Sequence, residues 1–157
     1  MYHIVNFILG SHNKEIKCRL TMDNKVSAVF YDGTQLQITG DLGNWRSVKT
    51  FSFHSVKGAN LQIVGYDVDS SDDSCKSAGL LLECDNGWTS NTNDWVVFGT
   101  DNPKQTPKLT DYLAPCQSSA GFSLTGPKSN AQKIWAANGK KYAWFLKVQK
   151  HGCNQWP

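Results

Sequence analysis

The feature that most limits how this chain can fold is the spacing of its apolar residues, which recur at every second position in runs too short for helices. Residues 15–22 (EIKCRLTM) place Ile16, Cys18 and Leu20 on one face, and residues 25–31 (KVSAVFY) continue the pattern. Asp32-Gly33 then marks a tight turn before residues 34–38, since Asp-Gly favours the φ > 0 geometry of two-residue hairpins. Val48, Phe51 and Phe53 fall in a further short segment, and Leu61, Ile63 and Gly65 alternate within residues 59–68. Residues 78–84, 94–99, 121–124, 132–136 and 141–148 read as strands, the last two flanking a second hairpin pair, Asn138-Gly139. No window of eleven or more residues carries an i, i+3, i+4, i+7 stripe with caps at both ends. About ten short strands separated by turn residues predict an all-β, antiparallel β-sandwich of the jelly-roll kind. The 157 residues suit one domain spanning 1–157. Two stretches break the rhythm: the acidic, serine-rich residues 67–76, and residues 100–117, where Pro103, Pro107 and Pro115 predict a long connection.

Charge narrows the partners. Sixteen Lys plus Arg stand against thirteen Asp plus Glu, and only Arg19 and Arg46 are arginines, so the concentrated basic stripe of a nucleic-acid binder is absent. The one local excess is lysine at the C-terminal strand pair (Lys133, Lys140, Lys141, Lys147, Lys150). No apolar run approaches the ~18 residues of a membrane span. Residues 1–10 (MYHIVNFILG) lack the basic start and cleavage site of a signal peptide. The expectation is therefore either a cytosolic protein or an extracellular one whose leader is not present in this chain.

Five cysteines bear on that choice. They include no C-x-x-C pair and no histidine at zinc-finger spacing, which argues against structural zinc. One or two disulfides in an exported β-domain fit their number. The expected pairs are Cys75 with Cys84, close in sequence, and Cys18 with Cys153, if the first and last strands are neighbours.

The order of these signals resembles the galactose-binding-like jelly roll. The residues that carry the likeness are Asp23-Asn24-Lys25, residues 28–33 (AVFYDG), Asn44-Trp45, Lys49-Thr50-Phe51 and residues 61–67 (LQIVGYD). It continues through residues 78–82 (AGLLL), 92–95, Lys133-Ile134-Trp135 and 142–145, covering roughly residues 15–150. Such domains accompany family 2 glycosidases and rhamnosidases as non-catalytic modules, and similar secreted domains occur in marine invertebrates. The resemblance implies the fold. It leaves function open, because some of these domains bind sugars and others are structural. Asp32-Gly33 stands here where Asn-Gly is common.

Catalytic signatures are missing: there is no nucleophile elbow, zincin helix, phosphate loop or dinucleotide fingerprint. Glu15 and Glu83 are the only glutamates, and most Asp residues sit in turns, so a non-enzyme is expected. Aromatics give the strongest binding signal, with six Trp and five Tyr. Indole stacks on the C–H face of a pyranose while nearby amides and carboxylates bind its hydroxyls. Asp85, Asn86, Trp88, Asn91 and Asn93, with Asp94, gather such groups in one turn-rich segment, and Asn44-Trp45 offers a second. Core packing is the competing role for Trp95, Trp135 and Trp144, which sit inside strand patterns. Asp67, Asp69, Asp72 and Asp73 are candidate calcium ligands, although their spacing is not that of an EF-hand and a solvated loop is the alternative. Two functions follow: a lectin-like carbohydrate-binding module, or a structural component of an extracellular assembly or biomineral matrix acting through protein contacts or self-association.

Overall fold

A computed structural model describes residues 14–68, 74–101, 112–113, 115–118, 130–136 and 142–147. Strand β1 (Glu15–Asp23) buries Ile16, Cys18, Leu20 and Met22, while Glu15, Lys17 and Arg19 look the other way, as a period of two requires. β2 (Lys25–Tyr31) buries Val26, Val29 and Tyr31, with a bulge between Val26 and Ala28 that the alternation had not foretold. The Asp32-Gly33 turn takes φ of 50° and 76° and returns the chain into β3 (Thr34–Gln35). The strand expected over residues 34–38 stops there, and Leu36 and Ile38 pack against the core from a loop.

β4 (Lys49–His54) alternates strictly, and β5 (Leu61–Tyr66) passes so near the opposite sheet that a Cβ on Gly65 would strike the Met22 sulfur and the Trp135 ring. A single helical turn, α1 (Ser74–Ser77), leads into β6 (Gly79–Cys84). There follow β7 (Trp95–Thr100), β8 (Tyr112–Leu113), β9 (Pro115–Gln117), β10 (Ile134–Ala136) and β11 (Tyr142–Lys147). Residues 100–117, expected as a long connection, thus hold two short strands. Residues 121–124 and the Asn138-Gly139 turn lie outside the described residues.

Among the described residues all the pairings are antiparallel and form two sheets, a five-stranded one ordered β4-β1-β6-β10-β9 and a six-stranded one ordered β3-β2-β5-β11-β7-β8. Their inner faces make one all-β sandwich, compatible with a jelly roll. Tyr31 stacks on Phe53 across the two sheets at 4.0 Å, and Trp135 meets Phe145 edge-on at 5.5 Å. Trp95 and Trp135 are core residues, each large buried side chain contributing about 1.5–3 kcal/mol of burial. Trp144 is not. It lies half-buried on the outer face of the six-stranded sheet, between the inward Ala143 and Phe145. Among the described residues no helix is long and apolar enough to cross a membrane.

The disulfides differ from expectation. Cys18 bridges Cys84, and Cys75 bridges Cys116. Strand order is the reason: β1 lies beside β6 and the register sets Cys18 directly opposite Cys84. Cys75 and Cys84 are near in sequence, but Cys75 lies in α1 before β6 and Cys84 ends that strand, whose six residues extend for about 20 Å and hold the two apart. Cys153 lies outside the described residues.

Candidate functional site

The outward half of the alternation on β4, β1 and β6 builds a polar surface. Thr50 and Ser52 project from β4, Lys17 and Arg19 from β1, and Glu83 from β6 with Asp85 just after it. These side chains, together with Gln37 and Thr39, line an open groove of about 880 Å³ whose floor is the strand stretch at Cys18, Phe51 and Cys84. That volume falls within the ~300–1,000 Å³ of small-molecule sites. Gln37 and Thr39 form one wall because Thr39 and Thr50 exchange backbone hydrogen bonds of 2.9 Å.

Across the middle of the groove Arg19 and Glu83 face each other in register and form an ion pair, their side chains 25% and 20% exposed. At one end the Asp85 carboxylate accepts from the Lys17 amide at 3.2 Å, while the Asp85 amide donates to the Lys17 carbonyl at 2.9 Å. Two cations and two anions thus balance in one surface that also offers hydroxyls and an amide. Such a set donates to and accepts from a hydroxyl-rich ligand without favouring a charged one.

Beyond Arg19 and Glu83 the next outward pair is Thr21 and Leu81, directly opposite each other. Trp45 packs on Leu81, with Ala131 beside it. The loop that carries Trp45 is pinned from several sides. Asp41 Oδ1 accepts from the Gly43 amide at 3.1 Å and Asn44 Oδ1 from the Arg46 amide at 3.0 Å. The Leu42 carbonyl accepts from Val26 in the other sheet. Lys49, the inward residue at the start of β4, is wholly buried and its ammonium donates to the Asn44 carbonyl. Burial lowers the Lys49 pKa below its ordinary value, and the charge of Asp41 partly opposes that shift. Arg46 covers the exposed side of the indole, its guanidinium 4.6 Å from the ring centroid.

The residues singled out from sequence are divided by the fold. Asp85 and Trp45 reach the outer face of the five-stranded sheet. Trp88 closes one end of the sandwich, tilted against Phe53 at 5.8 Å. Asn86 and Asn91 fold their own turn: Asn86 Oδ1 accepts from the Trp88 amide, and Asn91 Oδ1 from the amides of Asn93 and Asp94. The Asn93 residue stays exposed at the tip. Asp67 is buried just after β5, and Asp69, Asp72 and Asp73 lie outside the described residues. Sequence reasoning missed Lys17, Arg19, Gln37, Thr39, Thr50, Ser52 and Glu83. The signal was there in the polar half of the β1 and β4 alternation, but only the strand order shows that the three strands are neighbours.

No protein-family model, no curated protein and no solved structure matches this chain.

Proposed function

We propose that this chain is a non-catalytic extracellular carbohydrate-binding module, lectin-like and of the galactose-binding-like jelly-roll type, whose ligand lies in the groove across β4, β1 and β6. The observation that carries the reading is the grouping of Lys17, Arg19, Gln37, Thr50, Ser52 and Asp85 on one open sheet face, with the Trp45 indole beside it. Open grooves that combine hydrogen-bonding side chains with apolar surface and an aromatic ring beside them suit the hydroxyls and C–H faces of sugar rings. Two disulfides support an oxidising compartment, hence an extracellular setting. The groove carboxylates support a binding role over hydrolysis: Glu83 is engaged by Arg19 and Asp85 by the Lys17 backbone.

The test is a broad glycan array with non-reduced protein, run with Ca²⁺ and then with chelator. Affinities from millimolar to micromolar are expected, about 4–8 kcal/mol, with loss of signal in Arg19→Ala. Loss with chelator would add a calcium ion. A blank array with folded, monodisperse protein would sink this reading.

A second reading, a structural component of an extracellular assembly or biomineral matrix, draws on the other sheet. The outer face of the six-stranded sheet presents Phe30, Tyr66, Phe98, Tyr142, Trp144 and Leu146 half-buried, with Tyr66 and Tyr142 stacked at 4.5 Å. Apolar faces of this kind mark interaction surfaces. Sedimentation over a concentration series separates the two: mass that grows with concentration favours assembly, and a constant monomer favours the groove.

A further inference from the structure

Resting on the carbohydrate reading, we infer that the groove continues into a second subsite beneath Trp45, floored by Thr21 and Leu81, which opens when the indole rotates outward and then holds the next sugar ring of a chain. Thr21 carries the argument. It lies on the outward face of β1, between Arg19 and Asp23, where a polar side chain ordinarily meets water. Instead it is 0% exposed, and its Oγ1 is buried without a hydrogen-bond partner among the described residues. Leaving a buried hydroxyl unpaired is unfavourable and rare in folded proteins. A ligand that supplies the missing partner removes that penalty.

The register gives the subsite its place. Thr21 and Leu81 are the outward pair that follows Arg19 and Glu83, about 7 Å further along the strands, so the same sheet face leads from the groove to the residue on which the indole packs. Trp45 packs on Leu81, beside Thr21. Because Asp41, Asn44 and Lys49 hold the loop backbone, opening is a side-chain movement: Trp45 rotates about its torsions and the Arg46 guanidinium that covers its outer side moves aside. Once turned out, the indole stands as a wall against which a pyranose face stacks, while the Thr21 hydroxyl reaches a ring hydroxyl and Leu81 meets its C–H edge.

The test titrates cellohexaose, mannohexaose, laminarihexaose and chitohexaose, and the corresponding disaccharides, into the wild type, Thr21→Val, Thr21→Ser and Arg19→Ala. Thr21→Val keeps the shape and deletes the hydroxyl. It is expected to raise the thermal midpoint by about 2–4 °C and to weaken hexasaccharide binding about fivefold. Disaccharide binding should be untouched, and Thr21→Ser should bind hexasaccharides like the wild type. If Thr21→Val binds hexasaccharides as tightly as the wild type while Arg19→Ala does not, the subsite is wrong and the groove stands. If the wild type binds none of the four, the carbohydrate reading falls and the subsite with it.

Discussion

The Lys147 ammonium stands 5.3 Å from the centroid of the Trp88 ring, which also meets the Phe53 ring at 5.8 Å. Lys147 comes from β11 of one sheet and Phe53 from β4 of the other, so Trp88 joins the two layers where the sandwich would otherwise gape. A buried ammonium over an indole keeps its charge compensated at a site with little water, worth up to about 2 kcal/mol. Trp88→Ala is therefore expected to cost about 2–4 kcal/mol of stability, read as a lower urea midpoint. Glycan affinity at the groove should change little. An unchanged midpoint together with lost glycan binding would return Trp88 to the role of a ligand platform.

The Cys18–Cys84 bridge closes a loop of 66 residues and ties β1 to β6 directly under the groove. Chain-entropy reasoning gives about 4 kcal/mol for a loop of that size. The double variant Cys18→Ala/Cys84→Ala should lose about 2–4 kcal/mol in chaotrope titration. Peptide mapping without reduction should recover the pairs 18–84 and 75–116; a peptide linking Cys75 to Cys84 would overturn the strand order.

Lys49 gives stability a pH dependence of known sign. Its folded pKa lies below the ordinary 10.5 because burial disfavours the charged amine, Asp41 offsetting part of the effect. Between the lowered value and 10.5 the unfolded chain holds more protons than the folded one, so stability rises with pH across that window. Below the window the cost is present in full. Urea midpoints from about pH 8 to about pH 10.5 should climb more steeply for the wild type than for Lys49→Met. Parallel curves would show that burial does not shift this amine.

How far the sequence anticipates these features depends on whether a signal is local. Alternation locates β1 and β2, the Asp32-Gly33 turn locates the hairpin of β2 with β3, and Trp95 and Trp135 are legible as core because strand patterns surround them. The bulge at Val26/Ala28, the early end of β3 and the outward position of Trp144 depend on pairing across strands. Cysteine connectivity failed for the same reason: Cys18 and Cys84 are 66 residues apart and become neighbours only once β1 and β6 pair. The turn over residues 85–94 is rich in Asn and Asp. Those residue types serve turns as readily as ligands, since their side chains bond amides two and three residues ahead, as Asn86 and Asn91 do here.

The Arg19–Glu83 pair separates stability from binding most cleanly. Both groups are partly solvent-exposed, and pairs of this kind contribute about 0–1 kcal/mol to folding. Removing both partners in Arg19→Ala/Glu83→Ala leaves no buried charge behind and should shift the urea midpoint only slightly. The same two side chains span the middle of the groove, where each presents polar atoms to anything lying across β1 and β6. Hydrogen bonds to charged groups are worth about 1.5–3 kcal/mol, so a ligand there should bind the double variant more than tenfold more weakly. Equal glycan affinity in the two proteins, measured on samples of matched stability, would move the binding site off this face of the sandwich.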